Sequence, residues 1–87
     1  MAKNVAIERR ARTIYQKARD GSPDAAGQVV QAVTDYMVML CPDADRGQLS
    51  NRVHLIVHTA LGKDLPDTQL FDQLASLAEQ FGSPLSR

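Results

Sequence analysis

Apolar residues recur along this chain at intervals of three and four, the spacing that lines up one face of an α-helix. The first such stripe is Ile7, Ala11, Ile14, Tyr15 and Ala18, with Arg9, Arg10, Arg12, Thr13, Gln16 and Lys17 filling the remaining positions. Glu8 precedes Arg12 by four residues, the favourable order for an intrahelical ion pair. Lys17 and Arg19 fall in the last turn, where the helix dipole favours cations. Asp20-Gly21 stops the segment, with Gly21 free to adopt the left-handed cap conformation.

Punctuation sets off three further segments. In "SPD", Ser22 can accept hydrogen bonds from exposed amides, Pro23 suits the first helical position, and Asp24 complements the positive helix end. Ala26, Val29, Val30, Val33, Tyr36, Met37 and Leu40 follow at helical spacing until Pro42. Valines favour strands one at a time, but seven correctly spaced positions outweigh that weak preference. Val38 and Met39 widen the apolar face near its end, pointing to deeper burial or a contact patch. Asp45 followed by Gln48 has capping-box spacing, with Asp43 an alternative cap. The third stripe is Leu49, Val53, Ile56, Val57, Ala60 and Leu61, with Gly62 as its C-terminal cap. Asp67 or Thr68 caps the fourth segment, where Leu70, Phe71, Leu74, Leu77, Ala78 and Phe81 give the strongest helical pattern before Gly82 and Pro84.

These signals predict helices over about 3–20, 23–41, 45–61 and 67–81, with a short tail at 82–87. Short connections make successive helices antiparallel. The expected fold is all-α, an antiparallel up-down four-helix bundle forming one domain over residues 1–87.

Composition adds a polarity. Lys3, Arg9, Arg10, Arg12, Lys17 and Arg19 stand against Glu8 and Asp20 in residues 1–20, a net of +4, and the remainder carries a net of −4. Such a molecule can orient towards a charged surface, although a solvated helix face explains the same pattern. The single cysteine, Cys41, cannot form an intramolecular disulfide, which fits a reducing compartment. The N-terminus is charged and has no apolar signal region. The longest apolar run, Met37 to Cys41, is too short to cross a bilayer. A cytoplasmic protein is expected.

Candidate chemistry is sparse. His54 and His58 in "HLIVH" have the spacing of half a zinc site. The zinc-protease pattern needs a glutamate after the first histidine, and Leu55 stands there instead. Their position beside the third stripe reads as boundary residues. Cys41 lacks the cationic or helix-N-terminal setting that activates a thiolate, and reads as a buried structural residue. Gly21, Gly27, Gly47, Gly62 and Gly82 are too scattered for a phosphate loop, Gly27 and Gly47 marking close packing or a tolerated cost. No enzyme activity, cofactor or metal is expected. Basic residues are too few outside the first helix for a DNA-recognition helix, so no nucleic acid is expected either.

Three stretches carry a resemblance. "TIYQKARDGSPD" (13–24), "GQLSNRVHLIVHTAL" (47–61) and "TQLFDQLASLAEQFG" (68–82) resemble, in order and spacing, the immunity proteins for pediocin-like (class IIa) bacteriocins, the enterocin A immunity type. The likeness lies in a Leu-Tyr-type first helix with a polar turn, an "L-x-N-R-apolar" start to the third helix, and a Leu-rich fourth helix ending in glycine. This chain is richer in Ala, Asp and Arg than that family, and its tail is shorter. The resemblance implies a cytosolic bundle that acts without catalysis. It would bind the membrane part of a mannose phosphotransferase permease carrying docked bacteriocin, and block lethal opening. Choice of bacteriocin is associated with the family's C-terminal half, which here would include Lys63, Leu85 and Arg87. Apart from the resemblance, the charge pattern itself would make Arg9, Arg10, Arg12 and Lys17 a basic patch facing the anionic inner leaflet, at about 1 kcal/mol per charge. Asn51 and Arg52 either tie down a neighbouring loop or meet a partner. The alternative function is a small regulatory or adaptor module that binds another protein or, less readily, nucleic acid.

Overall fold

The computed structural model describes residues 2–81, with side chains from Val5 to Phe81. Four helices follow one another: α1 (Ala2–Arg19), α2 (Pro23–Leu40), α3 (Arg46–Gly62) and α4 (Asp67–Gln80). They pack as an all-α, antiparallel up-down bundle, and each boundary lies within a residue of its expected place. Among the described residues no helix is long and apolar enough to cross a membrane.

Local chemistry explains most ends. Ser22 N donates to Lys17 O and Gly21 N to Ala18 O, both near 3.0 Å (3.0 and 3.1 Å), while Gly21 takes φ 96°. This pair of bonds is the Schellman closure, which needs a left-handed residue just past the helix. Ser22 Oγ then accepts from Ala25 N at 3.4 Å, so one residue closes α1 and opens α2. At α3, Asp45 Oδ1 accepts from Gly47 N at 2.8 Å and Gln48 N at 3.2 Å.

Two caps differ from the sequence pattern. Gly62 stays inside α3, and Asp64 takes the left-handed conformation (φ 54°) while Leu65 N bonds Ala60 O and Asp64 N bonds Leu61 O. A non-glycine residue in this region costs about 1 kcal/mol, and aspartate is among the few that tolerate it. At α4 neither Asp67 nor Thr68 caps: Pro66 is the N-cap and offers no side-chain bond. The Asp67 carboxylate is spent elsewhere, on Arg12.

The core draws on every helix: Ala11 and Tyr15, Val29, Val33 and Met37, Leu49, Val53 and Val57, and Leu70, Phe71 and Leu74 are all buried. Each fully buried valine, leucine or methionine among these stabilises by about 1.5–3 kcal/mol relative to exposure. On α2 Ala25 and Ala32 are buried, while Ala26, expected in the stripe, is exposed. Val38 and Met39 are half-buried. Gly27 faces open space, so it is a tolerated cost rather than a close-packing point.

Candidate binding face

Polar contacts fix one side of the bundle. Three residues of α1 spaced along one face, Arg12, Tyr15 and Arg19, all reach the α3–α4 connection and the start of α4. Arg12 donates to Asp67 at 2.9 Å and to Glu8 at 3.1 Å, with its guanidinium 4.3 Å from the centre of the Phe71 ring. Phe71 in turn meets Tyr36 at 5.1 Å between ring centres. Burial alone would lower the Arg12 pKa, but the hydrogen bonds and charges of Asp67 and Glu8 outweigh it and raise it. Tyr15 Oη donates to Leu65 O at 2.7 Å, and burial raises its pKa. Arg19 pairs with Asp64 at 3.1 Å, an exposed contact of small net worth.

The expected basic patch therefore loses one member. Arg12 is half-buried and engaged, because the hydrophobic stripe of α1 carries it against α4 rather than outwards. Arg9, Arg10 and Lys17 are exposed, and none forms an ion pair among the described residues. Lys63 is exposed at the C-cap of α3. Leu85 and Arg87 lie outside the described residues.

Cys41 is buried, its thiol 3.7 Å from Ala78 O, and desolvation pushes its pKa up. A thiol held in this way packs; it is not poised as a nucleophile. The two histidines stand away from the core. Both are exposed, rather than at the edge of the stripe, and their rings stack with centres 4.2 Å apart. Among the described residues no three metal-ligating side chains come together.

The seam between α3 and α4 carries no such polar contacts among the described residues. Between α3 and α4 runs a groove made of two adjoining concavities. One, of about 240 Å³, is lined by Arg52, Leu55, Ile56, Gln73, Ser76, Leu77 and Gln80. The other, of about 370 Å³, is lined by Gln48, Asn51, Arg52, Leu55 and Phe81. Arg52 and Leu55 border both. Leu55 is 63% exposed, the more exposed of the two large apolar side chains that stand out among the described residues, Val5 being the other at 57%. Arg52 is exposed and makes no ion pair among the described residues; neither it nor Asn51 hydrogen-bonds a neighbouring loop there. Of the two roles open to that pair, tying down a loop has no contact to support it, and both line the groove.

Arg52 and Asn51 were visible in the sequence as a polar pair, whereas Leu55 was not. It lies outside the stripe of α3, and its only signal was an apolar residue placed off the buried face. No protein-family model matches the chain, and no curated protein or solved structure gives a significant match, so the functional reading rests on the chain's own residues.

Proposed function

We propose that this chain is a non-catalytic binding module, and that its docking face is the groove between α3 and α4. The observation that carries this is Leu55, exposed in mid-helix where two concavities meet, beside an arginine without an internal ion pair among the described residues. A large apolar side chain held out in a concave setting rimmed by polar residues is what an interface anchor requires, and arginine is enriched at such centres.

The narrower form of the proposal is immunity to a class IIa bacteriocin. In it the groove contacts the assembly of receptor permease and bacteriocin from the cytoplasmic side, with the inner membrane face as a second place of contact through Arg9, Arg10 and Lys17. Two stretches that carry the resemblance, residues 47–61 and 68–82, supply the groove lining, which supports locating recognition there. The family identity itself rests on the resembling stretches alone.

Expression in a bacteriocin-sensitive host, challenged with a panel of class IIa peptides, tests it. The expected result is survival against one or a few peptides, lost in Leu55→Glu although that variant keeps the helical circular-dichroism spectrum of the parent. A folded, expressed wild type that protects against none of the panel removes the immunity reading. Protection undiminished in Leu55→Glu removes the groove as its docking face.

A further inference from the structure

His54 and His58 take no part in the core, the polar contacts of α1 or the lining of the groove. Their spacing of one helical turn places the side chains one above the other on α3. Both are exposed, with ring centres 4.2 Å apart and planes inclined by 26°. Neither ring hydrogen-bonds another side chain among the described residues, so no protein donor there competes for its nitrogen lone pairs. The pair sits well inside a 17-residue helix that runs from Arg46 to Gly62, so the two backbone anchor points are held by regular hydrogen bonding on both sides.

We propose that His54 and His58 form a bidentate site for a divalent transition metal ion on the exposed face of α3. A neutral imidazole offers one nitrogen lone pair, and rotation of two stacked rings about their side-chain bonds can converge those nitrogens on one ion at about 2.0–2.1 Å. Imidazole suits copper, nickel and zinc, and the general affinity order puts copper(II) above zinc. With no third His, Cys, Asp or Glu clustered alongside among the described residues, the protein supplies two ligands. Water or donors of a second molecule complete the coordination. Such a site is open and exchangeable, unlike the closed four-ligand sites that hold a fold together. It is independent of the docking role of the groove. The missing glutamate that excludes a zinc-protease helix does not bear on it, because binding needs the two imidazoles and hydrolysis needs the base.

Calorimetric titration of the whole chain with copper(II) chloride and with zinc chloride, in a non-coordinating buffer, tests the site. The wild type is expected to bind one ion per chain, copper more tightly than zinc. His54→Gln and His58→Gln should each weaken binding by roughly a hundredfold, because the second ligand then no longer acts intramolecularly. Copper should also broaden the amide resonances around residues 54–58 before any others. Unchanged affinity in both variants, first broadening elsewhere in the chain, or no binding at millimolar metal would each overturn the proposal. Because both positions are exposed, the variants should retain the parent's helical spectrum. The broadening experiment on the wild type decides the question without them.

Discussion

Changing Tyr15 to Phe removes one oxygen and leaves a ring of almost the same shape in a site with no exposed surface. The lost oxygen is the donor of the 2.7 Å bond to Leu65 O, which fastens the α3–α4 connection onto α1. A neutral hydrogen bond contributes about 0.5–1.5 kcal/mol net, and stranding a buried acceptor costs about 1–3 kcal/mol. Leu65 is only half-buried, so water can partly replace the phenol. The expected loss is about 1.5 kcal/mol, or roughly 6–12 °C in Tm for a domain of this size. Urea unfolding followed by helical circular dichroism reads it as a lower midpoint with an unchanged slope. Alkaline pH gives a second, sharper readout. Burial raises the folded-state pKa of Tyr15 above the ordinary tyrosine value near 10. The stabilisation is therefore whole below that ordinary value and is lost as pH rises through the folded-state pKa. In that window the wild type should lose up to about 1.4 kcal/mol per pH unit through this residue, and Tyr15→Phe should lose none from it. Tyr36, whose pKa burial also raises, is common to both proteins and drops out of the difference. The advantage of the wild type should shrink as pH rises above ~10. A stability difference that stays flat with pH, or one below about 0.3 kcal/mol at neutral pH, would refute the role given to this bond.

Two other positions give independent checks. Thr34 is buried with its hydroxyl unpartnered among the described residues, so Thr34→Val, which keeps the branched shape, should raise stability by about 1 kcal/mol; a lower urea midpoint would mean that the hydroxyl has a partner. Cys41 should resist Ellman's reagent in the native protein at pH 8 and react at once in denaturant, because burial both shields the thiol and raises its pKa. Fast native labelling would show that the end of α2 opens.

The architecture was legible because its signals are local and redundant. Each helix of the bundle carries a stripe of period 3.6, and "DGSPD" and "DADRGQ" contain their own stop and start chemistry. What escaped were assignments decided by tertiary competition. Asp67 has the right type and place for a cap, but Arg12 from α1 reaches it at 2.9 Å and the cap bond is not made. Gly62 has the right type for a left-handed position, but α3 continues to it and the turn falls on Asp64, which Arg19 pairs with. Both errors come from the same face of α1, whose reach across some fifty residues leaves no trace in a window of local sequence. The same holds for the candidate binding face. Arg12 looked like part of a basic surface because its neighbours Arg9 and Arg10 do lie outside, and only packing separates a guanidinium over Phe71 from one in water.

That asymmetry also accounts for where the groove lies. The α1 side is closed by directional contacts: an ion pair between Arg12 and Asp67, a phenol on Leu65 O, and Arg19 on Asp64. Asp35 and Arg46 add an exposed pair, at 3.6 Å, between α2 and α3. Among the described residues no side-chain hydrogen bond or ion pair joins α3 to α4. Those two helices are held by their connection and by apolar contacts such as Ile56 and Leu77, which face the same concavity. Apolar contact is non-directional, so a partner's side chains can replace it there without stranding a buried donor or acceptor. Under the proposed function, the clasped side sets the geometry of the bundle and the side without polar locks is the one a partner would meet. Elements that bind are commonly drawn from the less rigidly fixed part of a fold, and under that proposal the seam beside Arg52 and Leu55, with no polar lock among the described residues, is the place for it.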